Sequence, residues 1–212
     1  MNIQNFLSEL KILSQTNGKI KLYSYDNKEK LFSRFFNRVY TLDVNLKNIL
    51  TDGWLSELYK ETNGIDFGNY YIIPFNDYFN KKPFSFDKMM YEWILNPNGG
   101  NDYSDNFYPF LTNGKKIIGL LGNLKNNTGD NFIGILRIQN KHVIDVIIIA
   151  SSIYILLDSI IKQLKEAGEL HIGENTNIWI KDDKELYEYY NNGKIEEYKN
   201  GGYLLELNKT VF

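Results

Sequence analysis

The chain has 212 residues, no cysteine, and 24 Lys and Arg against 26 Asp and Glu, for a net charge of −2. A chain of this length can bury a full hydrophobic core without covalent staples, and the lack of thiols excludes both a disulfide framework and a thiolate metal site. The slightly acidic balance speaks against a dedicated nucleic-acid binder, so no nucleic-acid partner is expected.

Residues 1–7 have neither the basic region nor the apolar run of a signal peptide, which sets the expectation of a cytoplasmic protein. Phe6, Leu7, Leu10 and Leu13 fall at helical spacing and stop at Asn17-Gly18. Residues 20–25 alternate like a strand, and residues 28–38 are compatible with a short basic helix. A second amphipathic pattern starts at Asp43 and uses Leu46, Ile49, Leu50, Trp54, Leu55, Leu58 and Tyr59, with Gly53 as a weak point. Asn63-Gly64 then reads as a left-handed stop.

Residues 70–73 form a predicted strand closed by Pro74, and residues 86–95 a predicted helix followed by a polar loop over 96–106. Residues 107–111 and 116–121 flank Thr112-Asn113-Gly114-Lys115 as a hairpin. Two further strands, 131–138 and 143–149, turn around Asn140-Lys141. Ser151 or Ser152 can cap a helix whose apolar face is Ile153, Leu156, Leu157, Ile160, Ile161 and Leu164, ending at Gly168. Residues 178–180 and 203–207 read as short strands. Between them, Asp182 with Glu185 three positions on opens a helix as a capping box would. Closely spaced strands with short turns give an α+β protein, mainly an antiparallel twisted sheet with flanking helices, in a single domain over 1–212. The longest apolar stretch, 143–161, is broken by Asp145 and Asp158. Its uncharged part, 146–157, is too short for a bilayer core of about 30 Å, so no membrane span is expected.

Signals for chemistry are few. His142 and His171 stand in separate turns, and no metalloprotease, nucleophile-elbow or phosphate-loop motif occurs. Gly119 and Gly122 fit a bulge or close packing better than a dinucleotide fingerprint. The Asn-rich loop 123–131 with Asp130 lacks the spacing and closing glutamate of a calcium loop. Adjacent carboxylates at Asp182-Asp183 and Glu196-Glu197 do not share a helical face. The expectation is therefore no catalytic residue, no metal and no cofactor: a protein that binds rather than an enzyme.

Two patterns suggest where it binds. Charge falls in blocks of +4 over 1–42, −5 over 43–107, +3 over 108–168 and −4 over 169–212. Aromatics make up 15% of the chain, with 16 tyrosines. Tyr187, Tyr189 and Tyr190 cannot share one helical face, so some must face solvent. Tyrosine supplies rigid contact area with a polar tip, and acidic neighbours steer a basic partner. The expected contact surface is Asp102, Tyr103, Asp105 and Tyr108, together with Trp179, Asp182, Asp183, Glu185, Tyr187, Glu188, Tyr190, Glu196, Glu197 and Tyr198.

The stretch Trp54-Leu55-Ser56-Glu57-Leu58-Tyr59-Lys60-Glu61-Thr62-Asn63-Gly64-Ile65 resembles the amino-terminal signature of the SUKH superfamily. That superfamily holds a yeast cell-wall synthesis regulator and many bacterial immunity proteins of polymorphic toxin systems. Tyr70-Tyr71-Ile72-Ile73-Pro74-Phe75 is similar to its next strand, and Lys116-Ile117-Ile118-Gly119-Leu120-Leu121-Gly122-Asn123 to its strand-plus-glycine segment. Residues 149–157 look like its closing helix. The resemblance covers about 43–168, with extensions on either side, and departs from the family pattern at the insertion-like 81–106. It implies a SUKH-like fold without shared catalytic residues. The implied activity is binding and neutralising a cognate protein toxin, often a nuclease; the alternative is a regulatory or scaffold protein with endogenous partners.

Overall fold

A computed structural model describes residues 1–27, 53–75, 107–139, 142–172 and 183–189, with backbone alone at 107, 108, 122, 123, 136–139 and 142–146. The expected helices at 28–38 and 86–95, the strands at 178–180 and 203–207, and the turn at Asn140-Lys141 lie outside the described residues. So does the part of the second amphipathic pattern before Gly53.

Helix α1 (Ile3–Thr16) opens on Asn2, whose side chain accepts from the Asn5 N–H, and buries Ile3, Phe6, Leu7 and Leu10. These lie at three- and four-residue spacing, so one stripe faces inward. Strand β1 (Lys21–Tyr23) follows. Helix α2 (Gly53–Glu61) buries Trp54, Leu55, Leu58 and Tyr59. The Tyr59 hydroxyl donates to the Ile73 carbonyl at 2.7 Å, so its polar tip is satisfied inside the core.

Gly64 is not the left-handed residue expected of the Asn63-Gly64 stop. Gly64 is absent from the positive-φ glycines and instead begins β2 (Gly64–Asp66). A Cβ there would lie 2.9 Å from the Ile72 carbonyl oxygen and 3.0 Å from the Pro74 Cα. Close backbone approach, not turn geometry, demands glycine at this position. Thr62 takes over the punctuation: its hydroxyl accepts from the Gly64 N–H at 3.3 Å and lies 2.9 Å from the Tyr23 carbonyl, which it reaches as a donor.

Strands β3 (Tyr71–Ile72), β4 (Phe107–Thr112), β5 (Lys116–Lys125), β6 (Asn131–Gln139) and β7 (His142–Ala150) join β1 and β2 in one sheet, seven-stranded among the described residues. Its order is β1-β2-β3-β4-β5-β6-β7, and every neighbouring pair is antiparallel. The hairpin expected at 112–115 joins β4 to β5. Asn113 Oδ1 accepts from the N–H groups of Lys115 and Lys116 at 3.0 and 2.7 Å. A register shift between Pro109 and Leu111 leaves Phe110 bulged, and both Phe110 and Leu111 reach the core. Gly119 stays in register opposite Pro109 and Gly134, whereas Gly122 lies within the irregular stretch between Leu120 and Lys125.

Helix α3 (Ile153–Ala167) begins at Ser152 and ends at Gly168 with φ 73°. The positive φ is the left-handed C-terminal conformation that favours glycine. All six residues of its expected apolar face are buried, each contributing about 1.5–3 kcal/mol by leaving water. A single core joins α1, α2 and α3 to one sheet face through Ile118, Leu120, Ile133, Ile135 and Ala150. Residues 1–27 supply Ile3, Phe6, Leu7, Leu10 and Ile20 to that same core.

On the opposite parity of β5 and β6, Ile117, Leu121 and Phe132 are buried too. The sheet is therefore apolar on both faces through its middle. This is an α+β protein built on an antiparallel sheet. Among the described residues, no helix is long and apolar enough to cross a membrane.

Candidate partner-binding face

The last described helix, α4 (Lys184–Tyr189), is only six residues long. A helix so short gains little from its own hydrogen bonds and must be held by packing and caps. Asp183 supplies the main attachment. Its carboxylate accepts from the Ser151 N–H at 2.6 Å, the Ser151 hydroxyl at 2.7 Å and the Leu186 N–H at 3.0 Å. One side chain thus caps α4 and pins it to the chain leaving β7.

The neighbouring serines divide two tasks. Ser151 binds Asp183, while the Ser152 hydroxyl oxygen accepts from the Ile155 N–H to start α3. Leu186 is fully buried and Tyr189 nearly so, with the Tyr189 ring 5.2 Å from that of Phe132. These contacts set the rotation of the helix. Residues two apart on a helix point about 200° apart, so burying Tyr189 turns Tyr187 outward. Tyr187 is 55% exposed, and Glu188 beside it is exposed as well.

Glu185 faces sideways. Its Oε2 accepts from the Asn127 N–H at 3.2 Å, joining α4 to the turn between β5 and β6. That turn is closed by Asn126, which accepts from Gly129 N–H through its carbonyl at 3.1 Å and from Asp130 N–H through its side chain at 2.8 Å. Asn126 Oδ1 also takes the Thr128 N–H at 3.0 Å. The side-chain oxygen that a cation would use is engaged by the chain's own donors. Among the described residues, no group of three or more His, Asp or Glu could hold a metal ion.

Of the residues expected to form the contact surface, the structure brings Glu185, Tyr187 and Glu188 together on α4. Asp183 is a correction. It is 0% exposed, and burial is the cost of accepting three hydrogen bonds at the sheet edge, so it cannot touch a partner. The cap that the structure shows is Asp183, one residue later than the first member of the expected Asp182–Glu185 box, and Glu185 reaches Asn127. Tyr108 lies in β4 opposite Leu120, with only its backbone described. Asp102, Tyr103, Asp105, Trp179, Asp182, Tyr190, Glu196, Glu197 and Tyr198 lie outside the described residues.

Sequence reasoning offered Ser151 only as a possible cap of α3, not as the partner of Asp183, and missed Asn127. Both act across long separations, 32 and 58 residues, and neither leaves a local pattern. His171 stands at the surface, its Nε2 3.4 Å from Glu169.

Fold and site together define a class: an α+β protein with a sequential seven-stranded sheet and a short aromatic–acidic helix clamped against it. The chain matches no protein-family model, no curated protein and no solved structure.

Proposed function

We propose that this protein is an immunity protein that binds and neutralises a cognate polymorphic toxin, with α4 as part of the contact face. The observation that carries the reading is the presentation of Tyr187 and Glu188 on a helix locked from behind by Asp183, Leu186 and Tyr189. An exposed aromatic held on a rigid support loses little freedom on binding, which is how preorganised interfaces gain affinity. The carboxylates beside it would steer a basic toxin into place. The SUKH-like motifs lend further support, because they follow one another along the chain in the order of α2, β3, β5 and α3.

The deciding experiment is coexpression with the toxin encoded beside the gene. Rescue of growth, lost in a Tyr187→Ala/Glu188→Lys variant that still folds, is the expected result. Failure to rescue from any neighbouring toxin would overturn the proposal and favour a regulatory protein with endogenous partners.

A further inference from the structure

Three Asn-Gly dipeptides fall within the described residues, at Asn17, Asn63 and Asn113, and the structure treats them very differently. Asn-Gly is the dipeptide most prone to spontaneous deamidation, because glycine leaves its backbone nitrogen unhindered. That nitrogen must attack the asparagine side-chain carbon, so any acceptor that holds its hydrogen protects the site. The Gly114 N–H donates to Thr112 Oγ1 at 3.0 Å, and the Gly64 N–H to Thr62 Oγ1 at 3.3 Å in a buried setting. The Gly18 N–H has no acceptor among the described residues, and Gly18 is exposed.

We infer that Asn17 is a deamidation site, selected by the structure over Asn63 and Asn113. Asn17 is half-buried at the C-terminal end of α1. Its Oδ1 accepts from the Lys19 N–H at 3.1 Å, as Asn113 Oδ1 accepts from Lys115 and Lys116, so what separates the sites is the glycine N–H. The Asn17 Nδ2 donates to the Gly168 carbonyl at 2.8 Å. The Gly18 nitrogen bonds to the Asn17 side-chain carbon and loses its proton to solvent base. The bond to Nδ2 breaks, and that nitrogen takes up a proton from water and departs as ammonia. Water then opens the five-membered imide at either carbonyl, leaving aspartate or isoaspartate at position 17.

The consequence follows from the surroundings. Asn17 joins the C-terminal ends of two helices, α1 and α3, through the Gly168 carbonyl. A carboxylate there would have no hydrogen to donate and would face two negative helix ends. Deamidation should therefore loosen the α1–α3 contact, whatever the protein's partner.

The test is incubation of the intact protein at mildly alkaline pH, followed by peptide mapping. Asn17 is expected to convert several-fold faster than Asn63 and Asn113, and this preference should vanish in denaturant. Equal or faster conversion at either of the other two in the folded protein would overturn the inference. Gly18→Ala is a clean control, since an added Cβ meets nothing within 4 Å and no positive φ is required. It should suppress conversion at Asn17 without lowering Tm; conversion at the parental rate would rule out the imide route. Asn17→Asp should lower Tm by a few degrees, whereas Asn113→Asp keeps the oxygen that accepts from Lys115 and Lys116 and should leave Tm unchanged. An unaltered Tm for Asn17→Asp would refute the proposed loosening.

Discussion

Asp183, Tyr25 and Gly64 each do something that a residue's type alone does not reveal. Replacing Asp183 with alanine leaves the Ser151 N–H and hydroxyl buried without their acceptor and removes a helix cap. The expected loss is roughly 2–4 kcal/mol, measurable by chemical denaturation. Gly64→Ala drives a methyl group into the backbone of the neighbouring strand and should cost about 1–3 kcal/mol. Tyr25 places its hydroxyl against the carbonyls of Tyr59 and Thr62, and burial holds its pKa well above the ordinary 10.0. Tyr23 is raised as well, by desolvation and then by Asp66. The unfolded chain releases these protons first, so the stability they contribute is complete below about pH 10 and is lost as pH rises toward the folded values. Tyr25→Phe should cost about 1 kcal/mol at neutral pH and make the alkaline decline shallower, which denaturation curves at about pH 8 and about pH 11 would register.

At the level of elements, the proposed role of α4 ties stability to recognition. Tyr187→Ala removes exposed aromatic area and should leave the melting temperature unchanged while weakening partner binding by about tenfold or more, the scale of an aromatic hot spot. Asp183→Ala should weaken binding too, but together with faster amide exchange in α4. Calorimetry and hydrogen exchange on the two variants separate contact from support. The sequence makes α1, α3 and the β4–β5 hairpin legible, because periodicity, caps and turn residues are local. The outward direction of one tyrosine in α4 is legible for the same reason. Which tyrosine it is depends on Phe132 and Ser151, and Asp183 reads as a surface carboxylate until its distant partners are known.

For the whole molecule, the block pattern of charge makes an electrostatic prediction. Glu188→Lys should slow association with a basic partner and flatten its dependence on salt, with little effect on dissociation; stopped-flow measurements at two ionic strengths would detect this. Asp183 is excluded from such a design because it is buried. The α+β class is readable from closely spaced strands. The unbroken sequential order of all seven is not, because nothing local dictates that β3 pairs with β4 across the long segment between them.

That sequential order has a consequence for how the protein is made. Each strand pairs with its predecessor, so a chain emerging from the ribosome can add strands one at a time. Helix α1 is the exception: its Met1 amine meets Asp158 and its Asn17 meets Gly168, 157 and 151 residues downstream. Phe6, Leu7 and Leu10 are thus synthesised well before α3 and wait for it before their packing is complete. During that interval the nascent chain carries an incompletely covered apolar helix, the kind of segment that holding chaperones engage.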